Sequence, residues 1–185
     1  VMMYPALRGG SGNPGYFEGF YGEVDDVLAA RDFLAQQPFV DPNRIYLGGH
    51  STGGTLAMLA AEMGGDFRGV FAFGPVDDVT GYGPDYLPSS YLNQEEIRLR
   101  SPGYWLHSIE CPTFVFEGAD GNIQSLRWMR DQYPSTPVEF FEIPRADHFN
   151  ILAPLNELIA QTILAYTGPT SNIAFPLTEI AEAVR

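Results

Sequence analysis

Two kinds of apolar run alternate along this chain. Short, nearly solid runs at Arg44–Gly49, Gly69–Phe73, Thr113–Glu117 and Val138–Ile143 read as strands buried on both faces, because a half-exposed strand would alternate apolar with polar residues. Val1–Ala6 reads as a further strand. Longer stretches carry apolar residues three and four positions apart, the spacing of a helix with one buried face. They are Glu23–Gln37 (Val24, Val27, Leu28, Leu34, Ala35), Ser51–Met63, Asn122–Tyr133 and Leu152–Tyr166 (Leu155, Leu158, Ile159, Thr162, Ile163, Tyr166). Pro38 ends the first helix and Gly64-Gly65 the second, while Asp41-Pro42-Asn43 reads as a turn. Arg8–Gly22 is a glycine-rich loop with aromatic residues, and Val76–Ser108 is irregular or broken-helical. Beyond Gly168 the pattern leaves a tail with a short helix at Leu177–Val184.

Strands that alternate with helices imply a mainly parallel sheet covered on both faces, a three-layer αβα sandwich. The length suits one domain, here residues 1–166, with 167–185 as a C-terminal tail. Sites in such sheets lie at the carboxyl ends of the strands. That rule selects Ser51, Asp77, Asp78, Asp120, Asp147 and His148.

Gly49-His50-Ser51-Thr52-Gly53 is the most informative of these places. The serine stands where a strand runs directly into a helix, on a turn sharp enough to strain its backbone and push its hydroxyl above the sheet. A serine hydroxyl is a weak nucleophile near pH 7, so it needs a base and the base needs an orienting group. The chain has three histidines. His148 follows the last strand and is the expected base. His50 points away from its neighbour's hydroxyl and reads as a packed residue, as does His107. The orienting acid is expected between serine and histidine in the chain. Asp120 is the first choice, Asp77 and Asp78 are rivals, and Asp147 stands too close in sequence to His148. The backbone N–H of Thr52, at a helix N-terminus, is the natural donor to an oxyanion. A His-Gly-Gly-like loop for a second donor is not found. Tyr82, Tyr86, Tyr91, Tyr104 and Trp105, in the segment that roofs the site, are candidates to line a pocket, with Tyr82, Tyr86 and Trp105 taken as substrate-binding. Arg98 and Arg100 read as solvated arginines of the lid, with a substrate carboxylate as their alternative partner.

The formal net charge of -13 and the lack of a basic stripe argue against a nucleic-acid partner. No apolar run is long enough to span a bilayer, so no membrane partner is expected. A single cysteine, Cys111, leaves no intramolecular disulfide, suits a reducing compartment and points to a cytoplasmic setting. No metal-ligand cluster and no phosphate loop appears, so no cofactor is expected.

Several segments together resemble the catalytic domain of the prolyl oligopeptidase family of serine peptidases, within the α/β-hydrolases. They are Tyr4-Pro5-Ala6-Leu7-Arg8-Gly9-Gly10-Ser11-Gly12, Glu23-Val24-Asp25-Asp26-Val27, Asp41 through Gly54, Cys111-Pro112-Thr113 with Gly118 and Asp120, and Ala146-Asp147-His148. The resemblance runs from Val1 to about Tyr166 and implies an α/β-hydrolase fold lacking its first strands, the family's fold beginning earlier than Val1. It implies Ser51 as nucleophile, Asp120 as orienting acid and His148 as base, cleaving amide or ester bonds of a peptide or small molecule through an acyl-enzyme. The acid turn departs from the family: it reads Gly118-Ala119-Asp120 where Gly-x-x-Asp is usual. A carboxylesterase or thioesterase on the same scaffold, and a non-catalytic hydrolase-like fragment that binds a partner, are the competing expectations.

Overall fold

Four strands form one parallel sheet in the order β1-β2-β3-β4, with β1 Tyr46–His50, β2 Gly69–Phe73, β3 Thr113–Gly118 and β4 Val138–Ile143. The computed structural model describes residues 1–87, 93–134, 137–168 and 172–185. Consecutive strands are neighbours, joined by α2 (Thr52–Glu62) between β1 and β2 and by α4 (Ile123–Gln132) between β3 and β4. The helix α1 (Gly22–Ala35) precedes β1, while α5 (Leu152–Ala165) and α6 (Leu177–Ala183) follow β4.

The pleat divides the strand residues between two cores. Val70, Ala72, Val115 and Val138 join Val24 and Val27 of α1, Leu56 to Ala61 of α2, and Leu126 and Met129 of α4. Phe71, Phe73, Phe114, Phe116, Phe141 and Ile143 face the other way, onto Leu155 and Ile159 of α5 and Ile180 of α6. The result is the three layers that the solid apolar strands imply. The second core is an aromatic stack. Phe73, Phe116 and Phe141 lie face to face across neighbouring strands at 5.4 and 5.0 Å between centroids. Phe175, from the C-terminal stretch, meets Phe71, Phe114, Phe116 and Phe141 edge-on. That stretch is therefore part of the core, since Ile173, Phe175 and Ile180 are all buried in it.

Val1–Ala6 is not a strand. It makes no ladder with the sheet, whose edge on that side is β1, and Val1, Met2 and Tyr4 are exposed. A strand needs a neighbouring strand to take up its N–H and C=O groups. The loop that follows is anchored instead by Arg8, which forks onto Asp26 of α1 (Nη2–Oδ1 2.9 Å, Nε–Oδ2 3.0 Å) and reaches Glu18 at 2.8 Å. Gly22 leaves room for that guanidinium, because a Cβ there would lie 1.9 Å from Arg8 Nη1. The segment after β2 is a chain of 3-10 turns with one helix, α3 (Gln94–Arg100). Tyr91 lies outside the described residues. No helix among the described residues is long and apolar enough to cross a membrane.

Candidate active site

Ser51 joins β1 to α2 with φ 56 and ψ -116, a conformation that costs a non-glycine residue on the order of 1–3 kcal/mol. Surrounding contacts impose it. The Ser51 N–H donates to Phe73 O at 2.8 Å, and Thr55 N–H donates to Ser51 O at 3.0 Å. Two glycines make the crossing possible: a Cβ on Gly49 would lie 2.1 Å from Gly53 O, and one on Gly54 would lie 2.7 Å from Phe73 O. The serine thus sits at the carboxyl end of the sheet, with Thr52 as the first residue of α2. The Thr52 N–H is one of the leading amides that a helix leaves without an internal partner.

His148 reaches the same end from the loop after β4. The loop is locked by a reciprocal turn. Asp147 Oδ1 accepts the N–H groups of Phe149 and Asn150, each at 2.8 Å, and Asn150 Oδ1 accepts Asp147 N–H at 2.8 Å. Those backbone donors hold the Asp147 carboxyl below its ordinary range. Asp147 therefore shapes the loop and does not touch the imidazole.

The group that holds His148 is Glu117, the fifth residue of β3. Its Oε2 lies 2.8 Å from His148 Nδ1, and its Oε1 accepts Gly118 N–H at 2.7 Å. Glu117 is fully buried. The pair sits in a slot cut by glycines. A Cβ on Gly74 (φ +55) would lie 2.3 Å from His148 Cε1 and 2.5 Å from Glu117 Oε2, and one on Gly121 would lie 2.3 Å from Glu117 Oε1. A carboxylate at Nδ1 makes that nitrogen the protonated one and leaves Nε2 with its lone pair free to accept a proton. Ser51 and His148 flank the same segment, Phe73-Gly74: Ser51 bonds its carbonyl and His148 lies against its glycine.

Asp120 is not the partner of the imidazole. Its side chain is exposed and makes no hydrogen bond or ion pair among the described residues, while its N–H ties the turn to Ala146 O at 3.0 Å. The short Gly-x-Asp turn carries the aspartate past the slot, and the residue before Gly118 fills it. Read from the sequence, Glu117 is the end of the strand Thr113–Glu117 and is not singled out. A signal was present: it is the one charged residue in the otherwise apolar Thr113–Gly118, and a carboxylate buried in an apolar strand requires a partner. Asp77 accepts Ser125 Oγ at 2.6 Å and Asp78 caps the turn at Thr80, so both are engaged elsewhere.

Tyr82 stands against the serine turn. Its hydroxyl lies 2.7 Å from Thr55 Oγ1, and burial pushes it up to about 12 against the opposing effect of the Thr55 and Ser51 side chains. Its ring stacks on Phe20 at 5.3 Å and leans on Tyr86 at 5.7 Å. Trp105 does not join them: its indole N–H donates to Arg98 O at 2.8 Å, and its ring carries the Arg98 guanidinium and neighbours His107. Arg100 is buried, paired with Glu96 and laid over Tyr21. A cleft of about 830 Å³ lined by Asp41, Arg44, Asp66, Arg68 and Glu110 lies at the amino ends of the strands, remote from Ser51. Among the described residues no group of three His, Cys, Asp or Glu side chains is placed to hold a metal ion.

Residues 13–151 match the model of the prolyl oligopeptidase family. An uncharacterized peptidase, YtmA, of Bacillus subtilis is 31% identical over 137 residues, 64% of this chain and 51% of that protein. The chain therefore spans about half the length of the curated relative it matches. Among solved structures, dipeptidyl peptidase 4 of Porphyromonas gingivalis superposes with a TM-score of 0.66 at 19% identity, over 80% of this chain and 23% of that one. An acylaminoacyl peptidase of Pyrococcus horikoshii gives 0.65 at 16% identity, over 89% and 31%. A 2,6-dihydroxy-pseudo-oxynicotine hydrolase gives 0.62 at 19% identity, over 84% and 49%. At these identities the structural likenesses establish a shared α/β-hydrolase fold.

Proposed function

This chain belongs to the prolyl oligopeptidase family, and from that membership we propose that it is a serine hydrolase whose nucleophile is Ser51, whose base is His148 and whose orienting acid is Glu117. The observation that carries the reading is the buried Glu117–His148 pair at 2.8 Å, placed at the strand ends from which Ser51 emerges. In the proposed reaction His148 Nε2 takes the Ser51 proton as Oγ attacks the carbonyl carbon of an amide or ester. Glu117 stabilises the imidazolium that forms, and the Thr52 N–H donates to the oxyanion. The tetrahedral species collapses when His148 returns the proton to the leaving amine or alcohol, which leaves an acyl group on Ser51. Water, deprotonated by the same imidazole, then releases the acid. Tyr82 and Tyr86, with Phe20 behind them, form an aromatic wall beside the serine turn, and in this reading that wall receives the acyl group.

Labelling with a fluorophosphonate probe tests this reading. Folded wild-type protein is expected to label and Ser51→Ala is not. No labelling of a folded preparation, or equal labelling of both, removes the hydrolase reading and leaves a binding role on the hydrolase scaffold. A panel of peptide amides and short acyl esters then separates peptidase from esterase, since turnover confined to the esters excludes the former.

A further inference from the structure

The base and the nucleophile come from opposite edges of the sheet. Ser51 follows β1 and His148 follows β4, and the strand order places β2 and β3 between them. Three strand spacings amount to roughly 14 Å, so the His148 loop has to fold back across the strand ends and be fixed there. Each strand end supplies a contact. Glu117 of β3 holds Nδ1, and Gly74, just after β2, leaves room for the ring. From β1 the contact is His50, the residue before the serine. Its Nε2 lies 2.9 Å from His148 O. Its ring lies 4.4 Å from the His148 ring, and both rings are covered by Phe149 at 5.4 and 5.1 Å.

We propose that His50 is a positioning residue: it donates Nε2–H to the carbonyl of His148 and so ties the base-bearing loop directly to the strand that carries the nucleophile. The inference rests on the serine-hydrolase reading above. A carbonyl oxygen only accepts, so the proton must be on Nε2. Burial, with a smaller opposing effect from the His148 carbonyl, holds the His50 ring below the ordinary imidazole range, and a neutral ring has one N–H to give. Because His50 and Ser51 are adjacent, this one bond fixes the base relative to the nucleophile without passing through the other strands. A small misplacement of the base slows proton transfer without altering the acyl pocket, so the effect belongs in kcat and not in KM.

The test combines a tautomer measurement with kinetics. In ¹⁵N-edited spectra of the three imidazoles, with His107→Ala to assign the third, His50 is expected as the Nε2–H tautomer and His148 as the Nδ1–H tautomer. An Nδ1–H tautomer for His50 overturns the proposal whether or not the protein proves active. On the ester or amide that wild type turns over, His50→Ala is expected to lower kcat about tenfold with KM nearly unchanged, the size of one lost hydrogen bond. His50→Gln, whose amide N–H₂ reaches toward the same carbonyl, is expected to recover most of that loss. Equal kcat for His50→Ala and wild type overturns the proposal, as does equal damage from Ala and Gln. If wild type fails to label with fluorophosphonate while His50 shows the expected tautomer, the hydrolase reading fails and the proposal fails with it.

Discussion

Glu117→Gln is the sharpest perturbation available, because the structure dictates how the replacement amide must orient. Glu117 accepts two hydrogen bonds, Gly118 N–H on Oε1 at 2.7 Å and His148 Nδ1 on Oε2 at 2.8 Å. The backbone donor cannot become an acceptor. In the Gln variant the amide oxygen stays with Gly118, and the amide nitrogen is turned toward His148. It then donates to Nδ1, moves the imidazole proton to Nε2 and removes the lone pair that takes the Ser51 proton in the proposed mechanism. The size changes by almost nothing, so folding is expected to survive. Loss of the orienting carboxylate with geometry intact is worth roughly 10³–10⁴-fold in kcat, which is about 4–5.5 kcal/mol of transition-state stabilisation. Steady-state kinetics and the rate of fluorophosphonate labelling measure it, with Tm as the control for folding. Asp120→Asn, at an exposed carboxylate without a partner among the described residues, should stay within a few-fold of wild type. The reverse pattern, with Glu117→Gln active and Asp120→Asn inactive, would refute the reasoning and restore the aspartate as the acid.

Gly74→Ala places a methyl 2.3 Å from His148 Cε1 at a residue with φ +55, so it should abolish labelling and also lower stability by roughly 1–2 kcal/mol; normal labelling would mean that the slot can widen. Phe175→Ala should cost about 3–5 kcal/mol in urea unfolding, because the ring is buried edge-on against Phe71, Phe114, Phe116 and Phe141. A loss under about 1 kcal/mol would show that the C-terminal stretch is dispensable to the core. Arg8 holds the Asp26 carboxyl below its ordinary range. Stability from that pair is therefore complete above the unfolded-state value, about pH 4, and is lost as the pH falls through the lower folded-state value. Thermal melts from pH 6 to pH 3 should be less steep in Asp26→Asn than in wild type, and equal slopes would remove Asp26 as a contributor.

Much of the architecture was legible because its determinants are local. β2 and β4 stand where their apolar runs place them, and β1, β3 and α1, α2, α4, α5 and α6 differ from the sequence reading only at their ends. Gly49-His50-Ser51-Thr52-Gly53, between a strand and a helix, located the strained serine turn, and position after the last strand located His148; that Gly54 is also needed for the crossing comes from the structure. Val1–Ala6 has the residues of a strand, but a strand also needs a neighbour, and among the described residues none pairs with it.

What the sequence determined alone is therefore the periodic layer structure, the kinked crossing at Ser51 and the histidine loop, each set by residues within a few positions of one another. Tertiary structure decided which carboxylate meets the imidazole. Glu117 and Asp120 are three residues apart, and only the packing of Gly74, Gly121 and the His148 loop around the end of β3 selects the first. It also decided that the loop after β4 folds back to meet His50, and that Phe175 enters the aromatic core. Those are contacts between residues distant in the chain, and their energies depend on where whole elements come to rest.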